Sequence, residues 1–219
     1  MKNSISLASR IGLGFAVIVS LLILITAVGI QRVGFIDSTL GQVSENAAKI
    51  QRYAINFRGS VHNRAIAIRD AVLVDSDQDL AVHLNEVTNL EQAYSDSATP
   101  MDQLFATAGV TSQEQQLLRA IKDIETQTLA STKSVIALRR AGDISGAQAL
   151  LLRQTSGEYS EWLKRVNALI DYEEASIKSQ LTAVQATASE FRGLMLMATG
   201  IALLLSIILA ISIIRFVKS

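Results

Sequence analysis

Arg58, Arg64 and Arg69 crowd the end of a long apolar repeat, the last two inside VHNRAIAIRDAVLVD at residues 61–75. A guanidinium fork matches a carboxylate with two parallel N–H···O bonds and keeps its charge at any physiological pH. Several together suit a small ligand of more than one negative charge, a di- or tricarboxylate of which malate and citrate are representative. His62 lies in the same stretch. The later segment QTSGEYSEW, residues 154–162, offers the hydroxyls of Thr155 and Tyr159. These six residues are the candidate ligand-binding set.

Their spacing constrains how they could act together. Stepping back by threes and fours from Arg64 gives Val61, Phe57, Ala54, Ile50, Ala47, Val43, Leu40, Ile36 and Val33, all apolar. That is one helix with a 3.5-residue repeat, which demands packing against neighbours. Successive residues turn by about 100°, so Arg58 and Arg69 share a face to within about 20°, while Arg64 lies about 140° from Arg69. Arg58 and Arg69 of one copy could therefore grip an anion with Arg64 of a symmetry mate, in a homodimer formed through this first helix. At about 1.5 Å per residue from the apolar spans, the arginines stand about 37 to 54 Å up, and Thr155 and Tyr159 about 55 and 50 Å, the same storey. Each residue also has a purely structural reading. Arg64 could rotate outward and snorkel at a seam. Arg58 and Arg69 could pair with Asp70 or with acids of the second helix. Thr155 could cap a helix. Arg139 and Arg140 suit a solvated helix end, favoured by the macrodipole. Thr128 and Ser131 are core hydroxyls that backbone carbonyls would satisfy, or the lining of a pocket inside one bundle.

Four helices are expected to position these groups. The first spans 33–74, followed by a turn at DSDQD, 75–79. The second runs over about 80–108 and contains Pro100, which should kink or interrupt it. TSQE at 111–114 is a capping box that opens the third, to about residue 141. Gly142 then reads as a C-cap and Asp143 as the next N-cap. The fourth starts near Ile144 and continues through Trp162, Val166, Ile170, Ile177, Leu181, Val184, Ala188 and Phe191 without a breaker. Short connections imply an all-α, up-down-up-down antiparallel four-helix bundle.

Composition places that bundle between two lipid-soluble segments. The chain has 219 residues, no Cys, one Pro and 49% hydrophobic residues. IGLGFAVIVSLLILITAVGI at 11–30 and GLMLMATGIALLLSIILAISII at 193–214 are uncharged, each about the ~20 residues a spanning helix needs. Lys2, Arg10, Arg215 and Lys218 flank their outer ends. All 20 acids lie between the spans with the remaining Lys and Arg, so the middle domain is net acidic. Basic tails imply cytoplasmic ends and a middle domain outside, in a two-pass membrane protein. The expected domains are a tail over 1–10, a span over 11–31, a sensor over 32–192, a span over 193–214 and the start of a cytoplasmic region at 215–219. An acidic domain without a basic cluster argues against nucleic acid. His62 and His83 lack partners at ligand spacing, so no metal or cofactor is expected. No nucleophile–base set or phosphate loop is visible, so no catalysis is expected either.

The uncharged span, the long stripe, the Asn-Arg near its end, AGDISGA at 141–147 and a last helix running into a second span together resemble a bacterial methyl-accepting chemotaxis receptor with a four-helix-bundle ligand domain. The resemblance covers the whole chain. It implies that Arg64 and Arg69 match two ligand-holding arginines and that QTSG, residues 154–157, occupies the place of a Pro-Thr-Gln-Gly stretch, with Thr155 as its threonine. The arginine spacings of six and five differ from that family's five and four, and Gln154 replaces its proline. The resemblance further implies a place in the bacterial inner membrane with the middle domain periplasmic, and a relay and signalling rod beyond Ser219, with a cytoplasmic kinase and adaptor as partners. The alternatives are the sensor half of a histidine kinase or nucleotide cyclase, or a ligand-free membrane-anchored bundle.

Overall fold

The computed structural model describes residues 7–107 and 109–217. Lys2, Lys218 and the expected helix end at Ala108 lie outside the described residues. No strand occurs among them. The elements are α1 (Leu7–Gln42), a π-helical turn (Val43–Ala47), α2 (Ala48–Leu73), α3 (Asp77–Thr107), α4 (Ser112–Arg140), α5 (Ile144–Leu150), a second π-helical turn (Leu151–Thr155) and α6 (Ser156–Val217). They form two compact units, one of Met1–Gly41 with Ser179–Ser219 and one of Gln42–Lys178.

The first unit holds the two apolar stretches. α1 and α6 each contain a stretch long and apolar enough to cross a membrane. Large side chains there, Leu13, Phe15 and Ile23 on α1, Leu196, Leu203 and Ile208 on α6, are exposed, as a lipid-facing surface would be. At Gly14 the first stretch meets Leu209 of the second. A Cβ added there would stand 2.3 Å from Leu209 Cδ1, so any larger residue would push the Leu209 side chain aside.

The second unit is the four-helix bundle, built from α2, α3, α4 and the chain from α5 into α6. Its main core joins Ile50, Ala54, Phe57 and Val61 of α2, Tyr94 and Met101 of α3, Leu118, Ile121 and Ile124 of α4, and Tyr159, Trp162, Val166, Leu169 and Ile170 of α6. A second core lies around Ala67, Ile68, Val72, Val87, Val135, Ala147 and Leu151. The 3.5-residue stripe is buried only from Ala47 onward; Val33 is 57% and Leu40 42% exposed. The bundle therefore begins near Gln42, later than the repeat suggests.

The helix boundaries follow local chemistry. Thr111 and Glu114 form the expected capping box at the start of α4. Gly142 has φ +79°, and at α4's end its N–H donates to Arg139 O at 3.2 Å while Asp143 N–H donates to Leu138 O at 3.0 Å. Those two bonds are the Schellman pair, which needs a left-handed residue and so favours glycine. Asp143 Oδ1 then accepts from Gly146 N–H at 2.9 Å and caps α5. The expected interruption at Pro100 is absent: α3 passes through it. Proline removes one backbone bond, and Tyr94, Ser97 and Met101, all buried around it, hold the helix by packing. The fourth helix, expected to run unbroken from near Ile144, is instead interrupted by the second π-helical turn at Leu151–Thr155.

Candidate functional site

Arg64 turns into its own bundle. It is 2% exposed, and its guanidinium carbon lies 5.5 Å from the Trp162 ring centre and 5.8 Å from that of Tyr94. One Nη donates to Leu90 O of α3 at 3.3 Å, while Nε has no hydrogen-bond partner. No carboxylate lies within ion-pair distance of it among the described residues. A buried charge without a counter-ion is costly, and here aromatic faces stand in for one. Phe57, Tyr94, Trp162 and Tyr159 make a continuous aromatic run through the core beside it. Tyr94 OH donates to Glu125 at 3.0 Å. Burial, then the Glu125 charge, pushes Tyr94 far above the usual phenol range. Burial also raises Glu125, against the opposing pull of the Tyr94 bond and the Arg64 charge.

Thr155 and Tyr159 are interior too. Thr155 is 0% exposed and its hydroxyl has no partner. It closes the second π-helical turn, one turn before Tyr159 on the same face. Thr132 Oγ1 donates to Tyr159 OH at 3.1 Å, and burial raises the Tyr159 phenol.

Arg58 and His62 face outward. Both are exposed, and with Ile55 and Gly59 of α2 and Leu163 and Asn167 of α6 they line a groove of about 460 Å³. Arg69, also exposed, is engaged by Asp70, whose Oδ1 accepts from both Nε and Nη at 3.1 Å. The helical angles set these directions: Arg58 and Arg69 look out, and Arg64, about 140° around, looks in. The structure thus separates the expected set: Arg58 and His62 share the groove, Arg69 pairs with Asp70, and Arg64, Thr155 and Tyr159 lie inside the bundle, where Arg64 does not reach toward a second copy.

Other residues take roles that the sequence pointed to only in part. Arg139 is buried, and its Nε donates to Ala71 O at 3.1 Å and one Nη to Val74 O; it satisfies the free carbonyls at the end of α2, where a solvated helix end was expected. Arg140 remains exposed, in a groove with Asp77, Asn85 and Thr88. Thr128 and Ser131 donate to Ile124 O and Thr128 O, and Ser131 also meets Glu158. Glu173 was not singled out at all. It is 0% exposed with both oxygens unpartnered, and burial, then Glu114, lifts it to about 8. Its signal was a gap: the stripe of the fourth helix passes from Ile170 to Ile177 with no apolar residue at 173.

Among the described residues no cluster of His, Cys, Asp and Glu could hold a metal ion. No curated protein and no solved structure matches the chain. A family match covers most of it: residues 4–188 match the family described as a four helix bundle sensory module for signal transduction. With the bundle, the two apolar stretches and this match in agreement, the chain belongs to that family, the sensory module of methyl-accepting chemotaxis receptors.

Proposed function

We propose that this module senses a small organic anion, a di- or tricarboxylate such as malate or citrate, on the periplasmic side of the inner membrane. In this reading α6 passes the signal to a cytoplasmic signalling module and its kinase and adaptor. The observation that carries the proposal is the groove between α2 and α6, where Arg58, without an ion-pair partner among the described residues, stands beside His62 and the Asn167 amide. A bidentate guanidinium bond and an amide bond would fix one carboxylate, and His62 would meet a second. Pairing of two copies through the first helix would place a second Arg58 across the same ligand. Arg64, Thr155 and Tyr159 act from inside, setting how α2 and α6 pack behind the groove. Differential affinity for two such packings is what a ligand needs to signal.

Titration calorimetry on the full chain in detergent, with a panel of organic acids, amines and sugars, tests this. Heat is expected with di- or tricarboxylates and is expected to disappear in Arg58→Ala. Heat from amines or sugars alone, or undiminished acid binding in Arg58→Ala, overturns it.

A further inference from the structure

Glu173 lies on the buried face of α6, in a turn shared with Leu169 and Ile170, and neither of its oxygens meets a donor. An ionised carboxylate in such surroundings is strongly disfavoured, while the neutral acid is not. The ionisable group facing it is another acid, Glu114 in the first turn of α4, which is itself buried. Glu114 is already committed: its carboxylate accepts from Thr111 N–H, and its own N–H donates to Thr111 Oγ1 at 3.2 Å. One residue back along α6, Tyr172 OH lies 3.3 Å from the same Thr111 Oγ1. The start of α4 thus meets α6 at two adjacent residues.

Among the described residues, no cation acts on Glu173 from the remaining elements. Ile50 and Ala54 of α2 and Met101 of α3, buried in the same core, carry no ionisable group. Tyr94, the titratable group that α3 gives this core, is taken by Glu125. Arg165, two turns earlier on α6, is taken by Glu161 and Ala120 O. A carboxylate accepts and does not donate, so Glu173 bonds to Glu114 only when it holds a proton.

We propose that Glu173 and Glu114 form a proton-binding site, in which the Glu173 O–H donates to the Glu114 carboxylate and latches the first turn of α4 to α6. The ligand is a proton, independent of any carboxylate in the α2–α6 groove. Burial first, then the Glu114 charge and hydrogen bond, raise Glu173 from the ordinary 4.5 to about 8. The site is loaded at neutral pH and empties in mildly alkaline conditions. The folded value lies above the unfolded one, so its stabilising contribution is full below 4.5 and is lost as pH rises through about 8, because the unfolded chain releases this proton first. Once it is lost, two carboxylates face each other and repel. α6 runs on from this turn to Val217, so the latch acts on the helix that carries the second apolar stretch.

The full chain in lipid nanodiscs is titrated from mildly acidic to alkaline pH. The readouts are infrared absorption of protonated carboxyl groups and amide exchange of residues 112–116 corrected for intrinsic rates. A protonated-carboxyl band is expected at neutral pH, fading with a midpoint near 8, with exchange in that turn rising as it fades. Glu173→Gln is expected to abolish the band and the pH dependence of exchange. Glu114→Gln keeps the capping box, since glutamine serves at N3, and is expected to lower the midpoint by about one unit or more. A spectrum without the band at neutral pH, a band that survives Glu173→Gln, or a midpoint unmoved by Glu114→Gln overturns the proposal. Should Glu173→Gln not fold, the Glu114→Gln titration decides alone.

Discussion

The Arg64 guanidinium carbon stands 5.5 Å from the centre of the Trp162 ring, placing a permanent charge against the largest aromatic of the bundle core. Arg64 comes from α2 and Trp162 from α6, so the pair joins the first and last helices of the bundle inside the fold. Desolvated cation–π contacts contribute about 2 kcal/mol or more. That offsets part of the several kcal/mol that burying a guanidinium costs. The unpartnered Nε shows that the compensation is incomplete.

Two substitutions at position 64 should therefore behave differently. Arg64→Ala leaves a large cavity beside Trp162 and frees Leu90 O, and is expected to destabilise by about 2–5 kcal/mol. Arg64→Met fills much of the same space without a charge, and is expected to change stability by less than about 1.5 kcal/mol or to raise it. Chemical denaturation of the full chain in detergent measures both. Equal losses in the two variants would show that the charge itself holds the fold.

Arg139 offers a comparison, because its buried guanidinium is engaged. Its bonds to Ala71 O and Val74 O close the C-terminal end of α2. Arg139→Ala is expected to cost about 3 kcal/mol, roughly two hydrogen bonds from a charged donor. Amide exchange should quicken first in the last turn of α2, residues 70–73. Arg140→Ala, at an exposed position, is expected to stay within about 0.5 kcal/mol of wild type. If the two variants match, Arg139 caps nothing.

Much of the fold was legible because its signals are local or periodic. The capping box at Thr111 and the glycine at Gly142 name helix ends by their own chemistry. The stripe from Ala47 to Val61 names one buried face. The start of the bundle was not legible, since the same repeat continues back to Val33 and periodicity does not report what lies opposite. Pro100 misled because a local rule about backbone bonds was outweighed by Tyr94, Ser97 and Met101 packed around it. For the site, helical angles separated Arg64 from Arg58 and Arg69 correctly, but not which side faced the core. Arg64 sits on the stripe and continues it inward. Glu173 falls in the stripe of the last helix in the same way, and a charged residue in an apolar rhythm was the common sign of both.

Two glycines give a prediction of opposite signs. Gly142 holds φ +79°, where an L side chain costs roughly 1–2 kcal/mol, and the Schellman bonds at the end of α4 depend on that conformation. Gly157 lies in helical backbone near the start of α6, is exposed, and a Cβ there meets nothing within 4 Å. Glycine in a helix is weaker than alanine by about 0.5–1 kcal/mol, mainly through the freedom of the unfolded chain. Gly142→Ala is therefore expected to lower the unfolding midpoint and Gly157→Ala to raise it, with the slope against denaturant unchanged in both. The second result bears on signalling too. Gly157 lies two residues beyond the π-helical turn that ends at Thr155, so stiffening it ties that turn to α6. If Gly157→Ala lowered the midpoint instead, helical backbone at that position would not be the stable state of the chain.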